Sequence, residues 1–123
     1  MDYGDIPITP YIVKLDSNPV GFIQHYKVNE DKQEEFGYST NLNVFGIDQF
    51  IGYPDLFNKG IGTIMIRKFI VYISRHNHVD VIVLDPDITN IRAIRCYEKC
   101  GFIKVKKINK GVSRLMEYRK RHR

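Results

Sequence analysis

Apolar and polar side chains alternate at the start of the chain. Tyr11-Ile12-Val13-Lys14-Leu15 and Val20-Gly21-Phe22-Ile23-Gln24-His25-Tyr26 follow the two-residue period of a strand, and Asp16-Ser17-Asn18-Pro19 between them is turn chemistry. The pair predicts a β-hairpin. Residues 29–41 are polar without an apolar period and read as a loop. Leu42 to Ile51 is rich in β-branched and aromatic residues and runs into Gly52-Tyr53-Pro54, which predicts a strand with a defined stop.

The period then changes. From Gly60 to about His76, Ile61, Met65, Phe69 and Ile73 recur every fourth residue while Arg67 and Ser74 occupy the opposite side, which predicts an amphipathic helix. Val79-Asp80-Val81-Ile82-Val83-Leu84 is short and nearly all apolar, as for a strand covered on both faces. Strand, helix, strand implies a parallel pair joined by a right-handed crossover. Asn90 can cap a second helix that runs to Cys100, and Gly101 stands where the chain must leave in a left-handed conformation. Phe102 to Lys107 and Ser113 to Tyr118 close the chain as two strands around Asn109-Lys110-Gly111. The fold class is α/β, with a mixed, mostly antiparallel sheet.

Composition narrows the class. A chain of 123 residues, 43% hydrophobic and 27% charged, fits a single domain over 1–123. Cys96 and Cys100, four apart on a predicted helix, form neither a disulfide framework nor a zinc set, so they read as buried thiols and no metal is expected. The opening Met1-Asp2-Tyr3-Gly4-Asp5 is not a signal segment, and Arg67-Lys68 interrupts the longest apolar stretch, so a reducing cytoplasm without membrane contact is the expectation. The formal charge of +5 and the closing Arg119-Lys120-Arg121-His122-Arg123 raise a nucleic-acid-binding alternative. Elsewhere the basic residues are scattered, so no nucleic-acid partner is expected.

The segment Phe57-Asn58-Lys59-Gly60-Ile61-Gly62-Thr63 feeds the long helix. Free N–H groups at a helix start carry partial positive charge and bind phosphate, and glycines let it approach. A P-loop is excluded because Thr63-Ile64 follows Gly62, and a dinucleotide fingerprint is excluded by Met65. Taken alone, the two glycines also suit a plain tight turn.

Three stretches together resemble the GNAT acyltransferase superfamily and, within it, the aminoglycoside 6'-N-acetyltransferases. They are Gly46-Ile47-Asp48-Gln49-Phe50-Ile51-Gly52, Lys59-Gly60-Ile61-Gly62-Thr63, and Asn90-Ile91-Arg92-Ala93-Ile94-Arg95-Cys96-Tyr97-Glu98-Lys99-Cys100-Gly101-Phe102. The likeness runs from about Thr9 to Tyr118. It implies transfer of an acetyl group from acetyl-CoA to a primary amine, with a small-molecule amine as partner and the 6'-amine of an aminoglycoside antibiotic as a candidate acceptor. It also implies that Asn43 to Ile51 and Val79 to Leu84 splay apart around the pantetheine arm, with the backbone of Gln49, Phe50 and Ile51 facing it. The coenzyme A diphosphate would rest on Lys59, Gly60, Ile61, Gly62 and Thr63, and Asn90 would touch the arm while also capping its helix. Phe57 stands where the family often carries Gln or Arg, a departure that the aminoglycoside-modifying relatives share.

The same resemblance assigns the chemistry. Amine attack on a thioester needs a base, and Asp48 matches the carboxylate proposed for that role. Carboxylates are ordinarily weak bases, with pKa about 4, so action through water or attraction of a cationic acceptor are alternatives, as is a plain polar residue at a strand end. Tyr97 matches the tyrosine beside the sulfur and would donate a proton to the departing thiolate; packing with Ile94 is its alternative role. Asp85 matches an acidic position near the acceptor, although Asp85-Pro86 also makes a turn.

Two departures qualify the picture. The family's domain opens with a strand and two helices, and the residues before Thr9 are too few to supply them, so an N-terminally truncated domain is expected. A bared apolar flank would then favour self-association, a homodimer included. A truncated domain that binds coenzyme A without turnover is the main competing function. The second departure lies in the loop before Gly46, where Glu34-Glu35-Phe36-Gly37-Tyr38 displaces the acidic aromatic cluster of well-studied relatives.

Overall fold

A computed structural model describes residues 8–15, 17–51 and 60–119. Its elements run β1 (Ile8–Leu15), β2 (Asn18–Lys27), α1 (Glu30–Phe36), β3 (Val44–Ile51), α2 (Ile61–His76), β4 (Val81–Leu84), α3 (Ile91–Lys99), β5 (Ile103–Ile108) and β6 (Ser113–Arg119). The strands form one sheet in the order β1-β2-β3-β4-β6-β5. Only β3 and β4 pair in parallel; every other neighbouring pair is antiparallel. The expected mixed α/β sheet is therefore present, and α2 is the connection between its parallel strands. The hairpin turn uses Ser17 at φ 70°, and Asn109, Lys110 and Gly111 all take positive φ between β5 and β6.

The core has two sides because every residue of β4 is buried. Ile82 and Leu84 join Ile47, Ile66, Ile73 and Phe102 in the larger cluster, where α2 and α3 cover the sheet. Val81 and Val83 join Val44, Leu115 and Tyr38 on the other face. Full burial of each such aliphatic contributes about 1.5–3 kcal/mol. The buried stripe of α2 is Gly62, Ile66, Phe69, Ile70 and Ile73 rather than the strict fourth-residue series. Ile61 and Met65 are only half-buried, because a 3.6-residue period drifts away from a spacing of four.

Residues 29–41 correct the sequence reading: Glu30–Phe36 is a helix. Asn29 Oδ1 accepts from Lys32 N at 2.8 Å, Glu30 and Asp31 sit in the positive first turn, and Gly37 ends the helix at φ 92°. The anchor is polar. Gln33 is buried, with Nε2 donating to Ser39 O at 3.0 Å and Leu42 O at 3.1 Å, while Lys27 Nζ donates to its Oε1 at 3.0 Å. An apolar period cannot announce a helix held this way.

His25 gives the fold a pH limit. It is buried with its ring 6.1 Å from Phe45 and 5.8 Å from Phe69, and burial lowers its pKa below 6.5. The unfolded chain then takes up the proton first, so stability is complete above pH ~6.5 and falls as the pH drops through that value. Thermal melts are expected to show a lower Tm at pH ~5.5 than at pH ~7.5, with a smaller difference in His25→Gln; equal differences in the two proteins would remove His25 as the cause.

Candidate active site

The parallel strands separate almost as soon as they meet. Val44, Phe45 and Gly46 pair with Val81, Ile82 and Val83; β3 then continues to Ile51 against β2 alone, while β4 ends at Leu84. A Cβ built at Gly46 would collide with the Tyr26 ring, so glycine lets that ring cross β3 where the parting begins. The gap is a cleft of about 450 Å³, with Asp48, Gln49, Leu84, Asp85 and Tyr97 in its wall. Strand alternation divides it. Gln49 lies on the sheet face covered by α2 and α3, and Asp48 lies on the opposite face.

On the helix side, Gln49 Nε2 donates to the Tyr97 phenol oxygen at 2.6 Å. Tyr97 is buried on α3 beside Ile94, with its ring 6.1 Å from Phe102, so it serves the core as well as the cleft. Burial pushes its pKa up to about 12, the Gln49 hydrogen bond acts against this, and the charges of Cys96, Asp85 and Asp48 add to it. The phenol is neutral at pH 7. Because it accepts from Gln49, its own proton is free for another acceptor. Gln49 Oε1 is buried and, among the described residues, finds no donor. A buried unsatisfied oxygen costs about 1–3 kcal/mol, which a ligand N–H entering the gap would relieve.

On the other face, Gln24 Nε2 donates to Asp48 Oδ2 at 3.4 Å. Asp85 stands across the cleft. As a residue Asp85 is exposed, yet protein atoms crowded around its carboxyl and, second, the Asp48 charge raise its pKa above the ordinary carboxylate value. Burial is the larger cause, and the repulsion between two carboxylates acts in the same direction. A cation at this mouth would relieve the repulsion.

A second cleft, about 500 Å³, opens at the start of α2 between Gly60 and Thr63 on one side and Arg92, Arg95 and Lys99 of α3 on the other. Gly60 is the helix N-cap at φ 77°, where an L side chain is strained although no described residue would block a Cβ. Among the described residues no side chain caps this end and no acid stands in its first turn, which leaves its amides available to a ligand. Arg67 Nη2 donates to Lys99 O at 2.7 Å and ties α2 to the end of α3. Asn90 caps α3, its Oδ1 accepting from Ala93 N at 3.2 Å. Lys59 lies outside the described residues, and Phe50 and Ile51 are described only as part of β3. Arg92, Arg95 and Lys99 escaped the sequence reading, although their spacing puts them on one helical face.

A sequence profile for the acetyltransferase (GNAT) domain matches residues 4–110. The chain belongs to the GNAT acetyltransferase family. Within that family it is 37% identical over 95 residues to aminoglycoside N(6')-acetyltransferase type 1 of Klebsiella pneumoniae, covering 77% of this chain and 47% of that protein. It is 41% identical over 63 residues to a kanamycin resistance protein of Rhizobium radiobacter, covering 51% of this chain and 58% of that one. Among solved structures, an aminoglycoside acetyltransferase AAC(6')-Ib in complex with coenzyme A and kanamycin aligns at TM-score 0.73 and 31% identity, covering 91% of this chain and 66% of that one. This GNAT chain thus spans about half the length of the Klebsiella relative. Among its described residues, no helix is long and apolar enough to cross a membrane.

Proposed function

We propose that this chain moves an acetyl group from acetyl-CoA to a primary amine of a small cationic acceptor, the 6'-amine of an aminoglycoside being the favoured case. The observation that carries the reading is the parting of β3 from β4 beyond Gly46, with the Gln49–Tyr97 pair on one side of the gap and Asp48 and Asp85 on the other. The names of the Klebsiella and Rhizobium relatives and the contents of the AAC(6')-Ib structure support it. The acceptor is a small molecule rather than a nucleic acid, and the two free, buried cysteines suit a reducing cytoplasm. Self-association has a candidate surface in Ile12 and Phe22, cross-strand neighbours exposed at 65% and 39%.

Acetyl-CoA supplies the thioester carbonyl; the chain supplies position and protons. The turn at Gly60–Thr63 and the cations of α3 hold the diphosphate. The edge of β3 beyond Gly46, with Gln49 Oε1, receives N–H groups of the arm, and amides near Gln49 to Ile51 polarise the carbonyl. Asp48 takes the ammonium proton, directly or through water, while Asp85 helps to draw the cation in. Tyr97 hydrogen-bonds the departing sulfur. A phenol with pKa about 12 gives up its proton to a thiolate of pKa ~8.5 only uphill, so Tyr97 steadies the thiolate while solvent protonates it.

Calorimetry with acetyl-CoA, followed by thiol release with kanamycin and with polyamines, tests the reading. Saturable uptake and acceptor-dependent release are expected. Uptake without release would favour a coenzyme-binding domain, and no uptake by folded protein would end the proposal.

A further inference from the structure

Acetyl transfer as described uses neither cysteine, yet Cys96 helps to form the wall of the second cleft. Thr63 Oγ1 lies 3.5 Å from Cys96 Sγ, and Cys100 Sγ donates to Thr63 O at 3.5 Å. Gly60 at the start of α2 and Arg92, Arg95 and Lys99 of α3 line the same cleft. The neighbouring Cys100 thiol holds the Cys96 pKa below the ordinary thiol range; burial opposes this, and the Thr63 hydroxyl and the charges of Lys99 and Arg67 assist it. Cys100 is pushed up and stays a thiol, first through its neighbour Cys96 and then through burial.

We propose that Cys96 is a thiol–disulfide exchange site at which an anionic low-molecular-weight disulfide closes the phosphate cleft. The cations gather an anion in the cleft whose wall holds Cys96, a residue 8% exposed. The Cys96 thiolate attacks one sulfur of the disulfide. A new S–S bond forms to that sulfur, the old S–S bond breaks, and the second half leaves as a thiolate that takes a proton from water; the Cys96 proton has gone to solvent. The bound half, with its carboxylates or phosphates among Arg92, Arg95 and Lys99, occupies the space assigned above to the coenzyme diphosphate. That last consequence rests on the acetyl-CoA reading; the exchange itself does not.

The test treats folded protein with glutathione disulfide or with cystamine, a cationic disulfide, and maps adducts by peptide mass. Each rate is normalised to the reaction of the same disulfide with free glutathione. The expected result is a glutathione adduct on Cys96, formed about tenfold or more faster than the cystamine adduct, slowed by added salt and reversed by dithiothreitol. Cys100→Ser is expected to keep the adduct position and react more slowly. Acetyl-CoA should slow the reaction, and the adduct should lose acetyl-CoA uptake. No adduct on folded wild-type protein, an adduct on Cys100 alone, or a normalised cystamine rate as high as that of glutathione disulfide would overturn the proposal. A Cys96 adduct that acetyl-CoA neither slows nor displaces supports the exchange site while counting against the coenzyme reading.

Discussion

Replacing Asp48 by Asn is expected to lower kcat/KM for amine acetylation by about 10²–10⁴-fold while leaving acetyl-CoA affinity within about twofold, the range for removing a positioned proton acceptor. The separation follows from geometry. Asp48 lies on the sheet face away from Gln49 and Tyr97, and the Gly60 turn belongs to another cleft. Asparagine keeps a side-chain oxygen that can still accept from Gln24, as Asp48 Oδ2 does at 3.4 Å, so the strand should hold its shape. The substitution also removes a charge that raises the Asp85 pKa. In the wild type, the folded chain binds the Asp85 proton more tightly than the unfolded chain does, so this pair costs stability as the pH rises through the carboxylate range. Asp48→Asn should therefore be slightly more stable than wild type at neutral pH and much less active. Steady-state kinetics with calorimetry and a thermal melt would check this; full turnover in the variant would remove Asp48 from the mechanism.

Asp85→Asn separates attraction from proton transfer. A carboxylate that only draws the acceptor in should raise KM more than it lowers kcat.

Most of the fold could be read from periodicity because most of it is held by apolar burial. The hairpin, the buried β4, the capped α3 and the left-handed Gly101 at φ 99° follow from alternation, caps and turn residues. What escaped is held by polar contacts, which leave no apolar period in the sequence. The helix Glu30–Phe36 depends on Gln33 and its bonds to Lys27, Ser39 and Leu42, a set with no period to detect. The same reason hid the Gln49–Tyr97 bond, which spans 48 residues and forms only because α3 crosses the face of the parted strands. The glycine turn was legible as a candidate phosphate site, but the cations that share its cleft lie on the other helix. They meet Gly60 because the two helices share one apolar core and are tied by Arg67 to Lys99 O and Thr63 to Cys96.

Those cations carry the second large effect. Reversing both Arg92 and Arg95 to Glu is expected to weaken acetyl-CoA binding by about 100-fold, roughly tenfold for each charged contact, since hydrogen bonds to charged groups contribute ~1.5–3 kcal/mol apiece. Both side chains are exposed on α3, and Ala93, Ile94 and Tyr97 pack the other face of the same helix, so the fold should tolerate the change. The loss should grow as salt is lowered, because repulsion by the new glutamates is then least screened. A pantetheine thioester without phosphates supplies the control. It should bind wild type and variant equally, since it reaches the parted strands and not the second cleft. If the variant loses both ligands alike, Arg92 and Arg95 support the fold rather than the diphosphate; if it loses neither, the diphosphate rests on the Gly60 turn alone.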